Sequence, residues 1–393
     1  MSSPDNVDGI NTVIWTVAIE QARLGHQVGM LVCDLPDETS AQFARDAGLD
    51  LHYTPASRWS YDRSVGRTLI LEPAVDIVHF HSVFLPRQAT LARWLRQWGI
   101  PYLVTPHGGL MPQVLNRGRV KKQLYGALVE QPRIRQAAGI AYITPDGEPD
   151  IRRYVPEFTG PVRWVPNPVD VERLQAHGWH PDGDRPRLTF LGRFDVYHKG
   201  LDRLAEIARR VPDADFHLYG IEDLKTKPHL DVIRRFGPPN LQIHGPVFGA
   251  EKLEALGRTT MYVQVSRWEA LSISILEALA LGAPTVIADG MSMASMLSAN
   301  DLGLVVSTHP DIAAGQIRAA LAGPQRLQAW SDRSRLYAQR NFSPPVVARR
   351  IIEVYEEALE WYTHGAIRQF PPVIPRVDRL DRDGGAPDAI VSG

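Results

Sequence analysis

The sequence predicts an α/β protein of two doubly wound parallel-sheet domains facing each other across a cleft. Three observations carry this expectation. The length, 393 residues, exceeds what one ordinary core accommodates. Short β-rich runs alternate with helix-length stretches from residue 10 to about 345. That alternation breaks once, at the polar, Pro-containing HGWHPDGDRPR of residues 177–187, and then restarts. Such alternation implies parallel sheets covered by helices on both faces, with ligands beyond the carboxyl ends of the strands.

Taken in order, the chain opens on the polar MSSPDNVD and passes directly into INTVIWTVAIEQARLGHQV, which has helical character. A nucleotide-type α/β domain normally begins with a buried strand. Either this chain starts late, or another segment fills the central position of the first sheet. Strand candidates follow at QVGMLVC, DIVHF, PYLVT, IAYIT and RWVP, then, past the break, at LTFLG, DFHLYG, LQIHG, MYVQVS, PTVIA and LGLVV. The helix PPVVARRIIEVYEEALEWYT has apolar residues at helical spacing and a Pro pair suited to its first turn. The expected division is a first domain at 1–168, a second at 169–345, a terminal helix at 346–364 and a tail at 365–393 whose Pro, Asp, Arg and Gly content reads as disordered.

Composition removes several functions. With 43 basic and 44 acidic side chains there is no global field to gather nucleic acid, so an anionic ligand must be held locally. The single Cys33 excludes an intramolecular disulfide framework and reads as a core residue. No apolar run is long enough to span a bilayer, and the N-terminus lacks the pattern of a signal peptide, so a cytoplasmic location is expected.

The chemistry concentrates in SRWEALSISILEALALGAP, residues 266–284. MYVQVS reads as a strand and Ser274 to Leu281 as a helix stopped by Gly282 and Pro284, which places Glu269 in the connecting loop and Glu277 in the first helical turn. Free backbone N–H groups near Leu271, Ser272 and Ile273 can face an anion there, while carboxylates accept hydrogen bonds from polyhydroxyl groups. Ser274-Ile275-Leu276-Glu277 equally reads as a capping box, which would make Glu277 structural. A complementary cationic element lies upstream in LTFLGRFDVYHKGLDRL, where Arg193 and Lys199 follow the strand-ending Gly192. Arg as a planar fork and Lys as a point charge suit a diphosphate.

Together these stretches resemble the retaining glycosyltransferases of family 4, which have the GT-B fold of two Rossmann-like domains. Gly192-Arg193 followed by Lys199-Gly200 is similar to the family's G-R-x-x-x-x-x-K-G element, and Glu269 to Glu277 to its E-x7-E motif. TPHGGL, VPNPVD, ARLGHQV and FSPPVVARRIIEVYEEAL add support in the expected order, so that the resemblance covers nearly the whole ordered chain. It implies that Arg193 and Lys199 hold the diphosphate of a UDP- or GDP-sugar and that Glu277 accepts from the ribose hydroxyls. Glu269, with the backbone of Leu271, Ser272 and Ile273, approaches the hexose and phosphates, and His107 reaches the sugar from the first domain. Gly9 stands where the family's first-loop glycine pair makes phosphate or acceptor contacts. The usual E-G-F-G is Glu269-Ala270-Leu271-Ser272 here, which removes two flexible glycines.

The implied reaction is transfer of a hexose with retention to a hydroxyl of a glycan, lipid-linked or small-molecule acceptor in polysaccharide or glycoconjugate synthesis, with domain closure about Asn167-Pro168. No metal or other cofactor is expected: the one close D-x-D, Asp182-Gly183-Asp184, falls in the interdomain connection. Arg117, Arg119, Lys121 and Lys122 could touch an anionic lipid headgroup or a lipid-linked phosphate at the inner membrane face, or form a solvated helix face. The alternatives are a paired-carboxylate hydrolase, a non-catalytic nucleotide-sugar-binding protein, and a GT-B sugar-nucleotide epimerase or phosphorylase.

Overall fold

A computed structural model of the chain describes residues 9–70, 75–116 and 119–364. Arg117, the Arg119 side chain and the tail at 365–393 lie outside the described residues. Twelve strands among them form three parallel sheets. β1 (Val28–Val32) pairs only with β2 (Leu49–Tyr53). β3 (Val78–His81), β4 (Tyr102–Thr105), β5 (Gly139–Tyr142) and β6 (Val162–Trp164) form a second sheet in sequential order. The third sheet contains β7 (Arg187–Leu191), β8 (Asp215–Tyr219), β9 (Leu241–His244), β10 (Met261–Gln264), β11 (Thr285–Ala288) and β12 (Gly303–Val306). Its spatial order is β12-β11-β10-β7-β8-β9.

The third sheet is a complete doubly wound unit. Its order reverses between β7 and β10, the position at which such sheets leave a crevice for ligands. The near-continuous apolar runs of its central strands are buried on both faces: Leu188, Phe190, Met261, Tyr262, Val263, Val286 and Ile287 have no exposed surface. Helix Ile273–Leu281 buries Ile275, Leu276 and Ala278 to Leu281 against this sheet and against helix Pro324–Asn341. Each such Leu or Ile contributes roughly 1.5–3 kcal/mol on burial. The helix stops at Gly282, whose φ of +95° is left-handed, and a Cβ there would lie 2.7 Å from Ser331 Oγ.

The first half is divided. Among the described residues no segment joins β1 to β3, and β3 is an edge strand. Helix Gly9–Arg23 instead packs across β1 and β2 and against helix Pro344–His364, which also covers β5. The terminal helix therefore lies on the first half, with Val347, Ile351, Val354 and Ala358 buried against Leu103 and Ala141. Cys33 is half-buried just beyond β1 rather than part of the core.

Candidate active site

The C-terminal end of β7 meets the start of helix Ile273–Leu281 at the switch point. Leu191 O accepts from Ser274 Oγ at 3.1 Å and from Tyr262 Oη at 3.3 Å, which brings the Gly192-Arg193 loop beside the helix N-terminus. Ser272 is the N-cap residue, but its Oγ donates to Gln264 Oε1 (3.1 Å) instead of capping the helix, so the first-turn N–H groups keep their capacity for another acceptor. Leu271 turns its side chain into the core and offers only backbone to the crevice.

Lys199 and Glu269 are in direct contact, with Nζ 2.5 Å from Oε2 and both side chains largely covered. The same Oε2 accepts from the buried Gln264 Nε2 at 2.9 Å and from Ser266 Oγ at 3.4 Å. Lys199 is placed by Gly200, which opens helix Leu201–Arg210 in a left-handed conformation (φ +67°). A Cβ on Gly200 would stand 2.2 Å from Val265 O, so only glycine lets the two loops approach. His198 stacks on Trp268 at 4.5 Å, and Arg267 grips Asp202 bidentately at 2.8 and 2.5 Å. These contacts fix the Glu269 loop to the Lys199 loop. Arg193 is exposed nearby, and no described carboxylate pairs with it.

Glu277 lies one residue further into the helix than expected, because the helix begins at Ile273. Its carboxylate makes no capping box. Oε1 accepts instead from Lys252 Nζ at 2.6 Å, a lysine on helix Gly249–Gly257 that no sequence pattern singled out. Each acid of the E-x7-E motif is thus held by its own lysine.

The first half faces this site through the His107 loop. Gly108 has φ +77°, and a Cβ on it would stand 2.4 Å from Ala270 Cβ, so the loop lies directly against the residue that replaces the family's glycine. Gly9 touches the same crevice, since a Cβ there would meet Ile273 Cγ1 at 3.7 Å. Behind His107 runs a histidine series: His107 Nε2 is 2.9 Å from His81 Nδ1, the rings of His81 and His79 are 4.0 Å apart, and His79 bonds Thr105 Oγ1 (2.7 Å) and Tyr355 Oη (2.8 Å). Burial lowers His107 to about 4 and His79, with help from His107, to about 3. Burial and the two neighbouring rings hold His81 well below its usual range. All three are neutral at pH 7, so one of the His81–His107 nitrogens donates and the other accepts, which couples the tautomer of one ring to that of the other. The alternation of VHFH places His79 and His81 on one face of β3.

Of the basic group after the histidine loop, Lys121 and Lys122 lie on helix Arg119–Tyr125. Lys122 turns back to donate to Val114 O (2.6 Å) and lies over the Phe84 ring, at the rim of a cavity of ≈ 350 Å³ that includes Leu110, Gln131, Asp150 and Arg153. Val120, Leu124 and Leu128 are exposed at four-residue spacing along the same segment, at 78%, 63% and 69%. Asp182 of the D-x-D triplet is paired with Arg258, which lowers its pKa.

A double-lobed scaffold with a crevice at the switch point, lined by two lysine-held acids, defines the chain as a GT-B glycosyltransferase. Residues 8–169 match the family model "Glycosyl transferase 4-like domain" and residues 174–337 match "Glycosyl transferases group 1". The chain belongs to glycosyltransferase family 4. It is 25% identical over 377 residues to the GDP-mannose:cellobiosyl-diphosphopolyprenol alpha-mannosyltransferase of Xanthomonas campestris, covering 90% of this chain and 94% of that one. Among solved structures it resembles the sucrose-phosphate synthase of Thermosynechococcus elongatus (TM-score 0.72, 18% identity, 90% and 94% of the two chains). It also resembles an Anabaena protein solved with UDP and glucose (TM-score 0.64, 12% identity, 91% and 97%).

Proposed function

We propose that this glycosyltransferase moves a hexose, with retention, from a nucleoside-diphosphate sugar to a hydroxyl of a lipid-linked acceptor at the cytoplasmic face of a membrane. The observation that carries the reading is the direct Lys199–Glu269 contact at the switch point, beside the exposed Arg193 and the uncapped start of helix Ile273–Leu281. A sugar diphosphate matches this arrangement group by group. Its phosphate oxygens replace Glu269 as the partner of Lys199 and take Arg193 and the helix N–H groups, while its hexose hydroxyls replace Lys199 as the partner of Glu269. Glu277, oriented by Lys252, accepts from the ribose.

As the anomeric bond breaks, charge develops on the departing phosphate and on an oxocarbenium-like sugar. Lys199, Arg193 and the helix dipole offset the first without a metal, and Glu269 with the neutral His107 faces the second. The departing phosphate takes the proton of the acceptor hydroxyl as that oxygen attacks from the same face. Approach of the two halves at Gly108 and Ala270 keeps water out. A mannosyl donor on GDP is the first to test, because the relative that matches over nearly its whole length is named for GDP-mannose and a diphosphopolyprenol acceptor.

The membrane reading rests on a second observation. Val120, Leu124 and Leu128 leave an apolar ridge on the segment that carries Lys121, beside the ≈ 350 Å³ cavity next to the His107 loop. No described helix is long and apolar enough to cross a membrane, and a ridge of this kind with adjacent cations suits an anionic lipid surface.

The test is a thermal-shift screen of GDP-mannose, UDP-glucose, UDP-galactose and UDP-N-acetylhexosamine, followed by NMR of the product formed from the stabilising donor. Retention of the donor's anomeric configuration is expected. An inverted product rejects the mechanism.

A further inference from the structure

A second cluster of ligating side chains stands away from the Lys199–Glu269 contact. Helix Val171–His177 ends at His177, Gly178 reverses the chain with φ +75°, and Trp179-His180 lies across the end of helix Gly249–Gly257. His180 N donates to Gly257 O at 2.8 Å and Trp179 Nε1 to Thr259 O at 2.6 Å, so the turn is fixed to that helix end. Both imidazoles rest on the bare face of Gly257, where a Cβ would stand 2.4 Å from His180 Cε1 and 2.8 Å from His177 Nε2. Glu254, one turn earlier on the helix, faces them.

The spacing fits an ion better than hydrogen bonds. Glu254 Oε2 is 3.5 Å from His177 Nε2 and 3.8 Å from His180 Nε2, too long for hydrogen bonds. His177 Nε2 is buried and has no hydrogen-bond partner. An ion about 2.0–2.1 Å from each of three tetrahedral ligands separates those ligands by roughly 3.3 Å; the two Glu254 separations are slightly longer, and all three ligand atoms lie within 4.8 Å of one another. His180 is also in the right tautomer: Nδ1 lies 3.1 Å from Gly178 O, which can only accept, so the proton is on Nδ1 and the Nε2 lone pair is free. Arg258 Nη1 stands 3.6 Å from Glu254 Oε1, which leaves Oε2 turned to the histidines.

We propose that His177 Nε2, His180 Nε2 and Glu254 Oε2 form a binding site for one divalent transition-metal ion. Two imidazoles and one carboxylate with an open fourth position suit Zn2+. The ion ties the segment between the second and third sheets to helix Gly249–Gly257, which also carries Lys252, the partner of Glu277. Its role is to stabilise that junction, and the transfer chemistry at Lys199 and Glu269 does not depend on it.

The experiment uses the full chain, stripped with a chelator, and titrates ZnCl2 by calorimetry with thermal melting in parallel. Cobalt chloride serves as a spectroscopic probe, because tetrahedral Co2+ absorbs strongly in the visible. One equivalent of Zn2+ is expected to bind and raise Tm by mass action. His180→Ala and Glu254→Gln should each weaken binding about tenfold or more and remove the tetrahedral Co2+ band. Nucleoside-diphosphate binding by both variants should match the parent, which shows that they fold. The inference is overturned if the parent takes up no stoichiometric zinc, or if both variants bind it as the parent does.

Discussion

Lys252 Nζ lies 2.6 Å from Glu277 Oε1 and ties helix Gly249–Gly257 to helix Ile273–Leu281, which begins at the switch-point crevice. Glu277 is largely covered and Lys252 about one-third exposed, so the pair serves orientation more than stability, where a partly exposed ion pair contributes about 1 kcal/mol or less. Lys252→Ala should raise the donor KM by roughly 5–10-fold, about 1–1.4 kcal/mol of binding, with kcat within about twofold. Lys252→Arg should recover most of the loss. Initial-rate kinetics with varied donor check both; an unchanged KM removes Lys252 from the site.

Gly108 and Ala270 form one of the contacts between the halves. Gly108→Ala adds a Cβ 2.4 Å from Ala270 Cβ at a backbone with φ +77°. The conformational part costs of order 1–3 kcal/mol, and the clash separates the halves beside His107. Activity should fall about 100-fold or more, since small displacements of positioned groups have effects of that size. Ala270→Gly in the same chain should restore part of it by relieving the clash but not the backbone strain. Equal activity of single and double variants would show that the two residues do not meet in the working enzyme.

His79 and His107, half-buried and kept neutral by desolvation, predict a definite acid response. The folded-state values of about 3 and about 4 lie below the ordinary 6.5, so between those limits the unfolded chain binds more protons than the folded one. Stability from this source is fully present above pH 6.5 and is lost as the pH falls from there through about 4. Urea melts at steps between pH 7 and pH 4.5 should show a decline that is smaller in His79→Gln. NMR of the histidine ring protons should show no titration of His107 between pH 5.5 and pH 8; a midpoint near 6.5 would contradict the burial.

The exposed Val120, Leu124 and Leu128 predict vesicle binding. The full chain should sediment with phosphatidylglycerol vesicles and much less with phosphatidylcholine. Replacing the three residues by Ser should abolish sedimentation while leaving donor binding unchanged. Sedimentation equal to the parent's would remove the ridge from the account.

The pattern of the second half was legible because its strands are buried on both faces: LTFLG, MYVQVS and PTVIA read as continuous apolar runs and became β7, β10 and β11. β2, with the sequence LDLHY, was not anticipated. It lies in a two-stranded sheet, and its partly exposed residues carry no such run. Glu269, Lys199 and Arg193 were legible through motif spacing, and the fold brings their loops together at the switch point. Lys252 and His81 were not, because each acts through a partner, 25 or 26 positions away, that only the packing of helices or adjacent strands supplies. The capping-box reading of Glu277 failed for a local reason: Ser274 Oγ donates to Leu191 O, and Ser272 takes the N-cap position.

In the proposed mechanism Arg193, Lys199 and the start of helix Ile273–Leu281 hold one diphosphate while Glu269 holds the sugar. Isothermal titration of the preferred nucleotide sugar, and of the matching nucleoside diphosphate without sugar, tests it most directly. Lys199→Ala and Arg193→Ala should each weaken both ligands about tenfold or more, the loss of a charge-assisted bond of roughly 1.5–3 kcal/mol. Glu269→Gln should weaken only the nucleotide sugar. Diphosphate binding of parent strength in both cation variants would contradict the account.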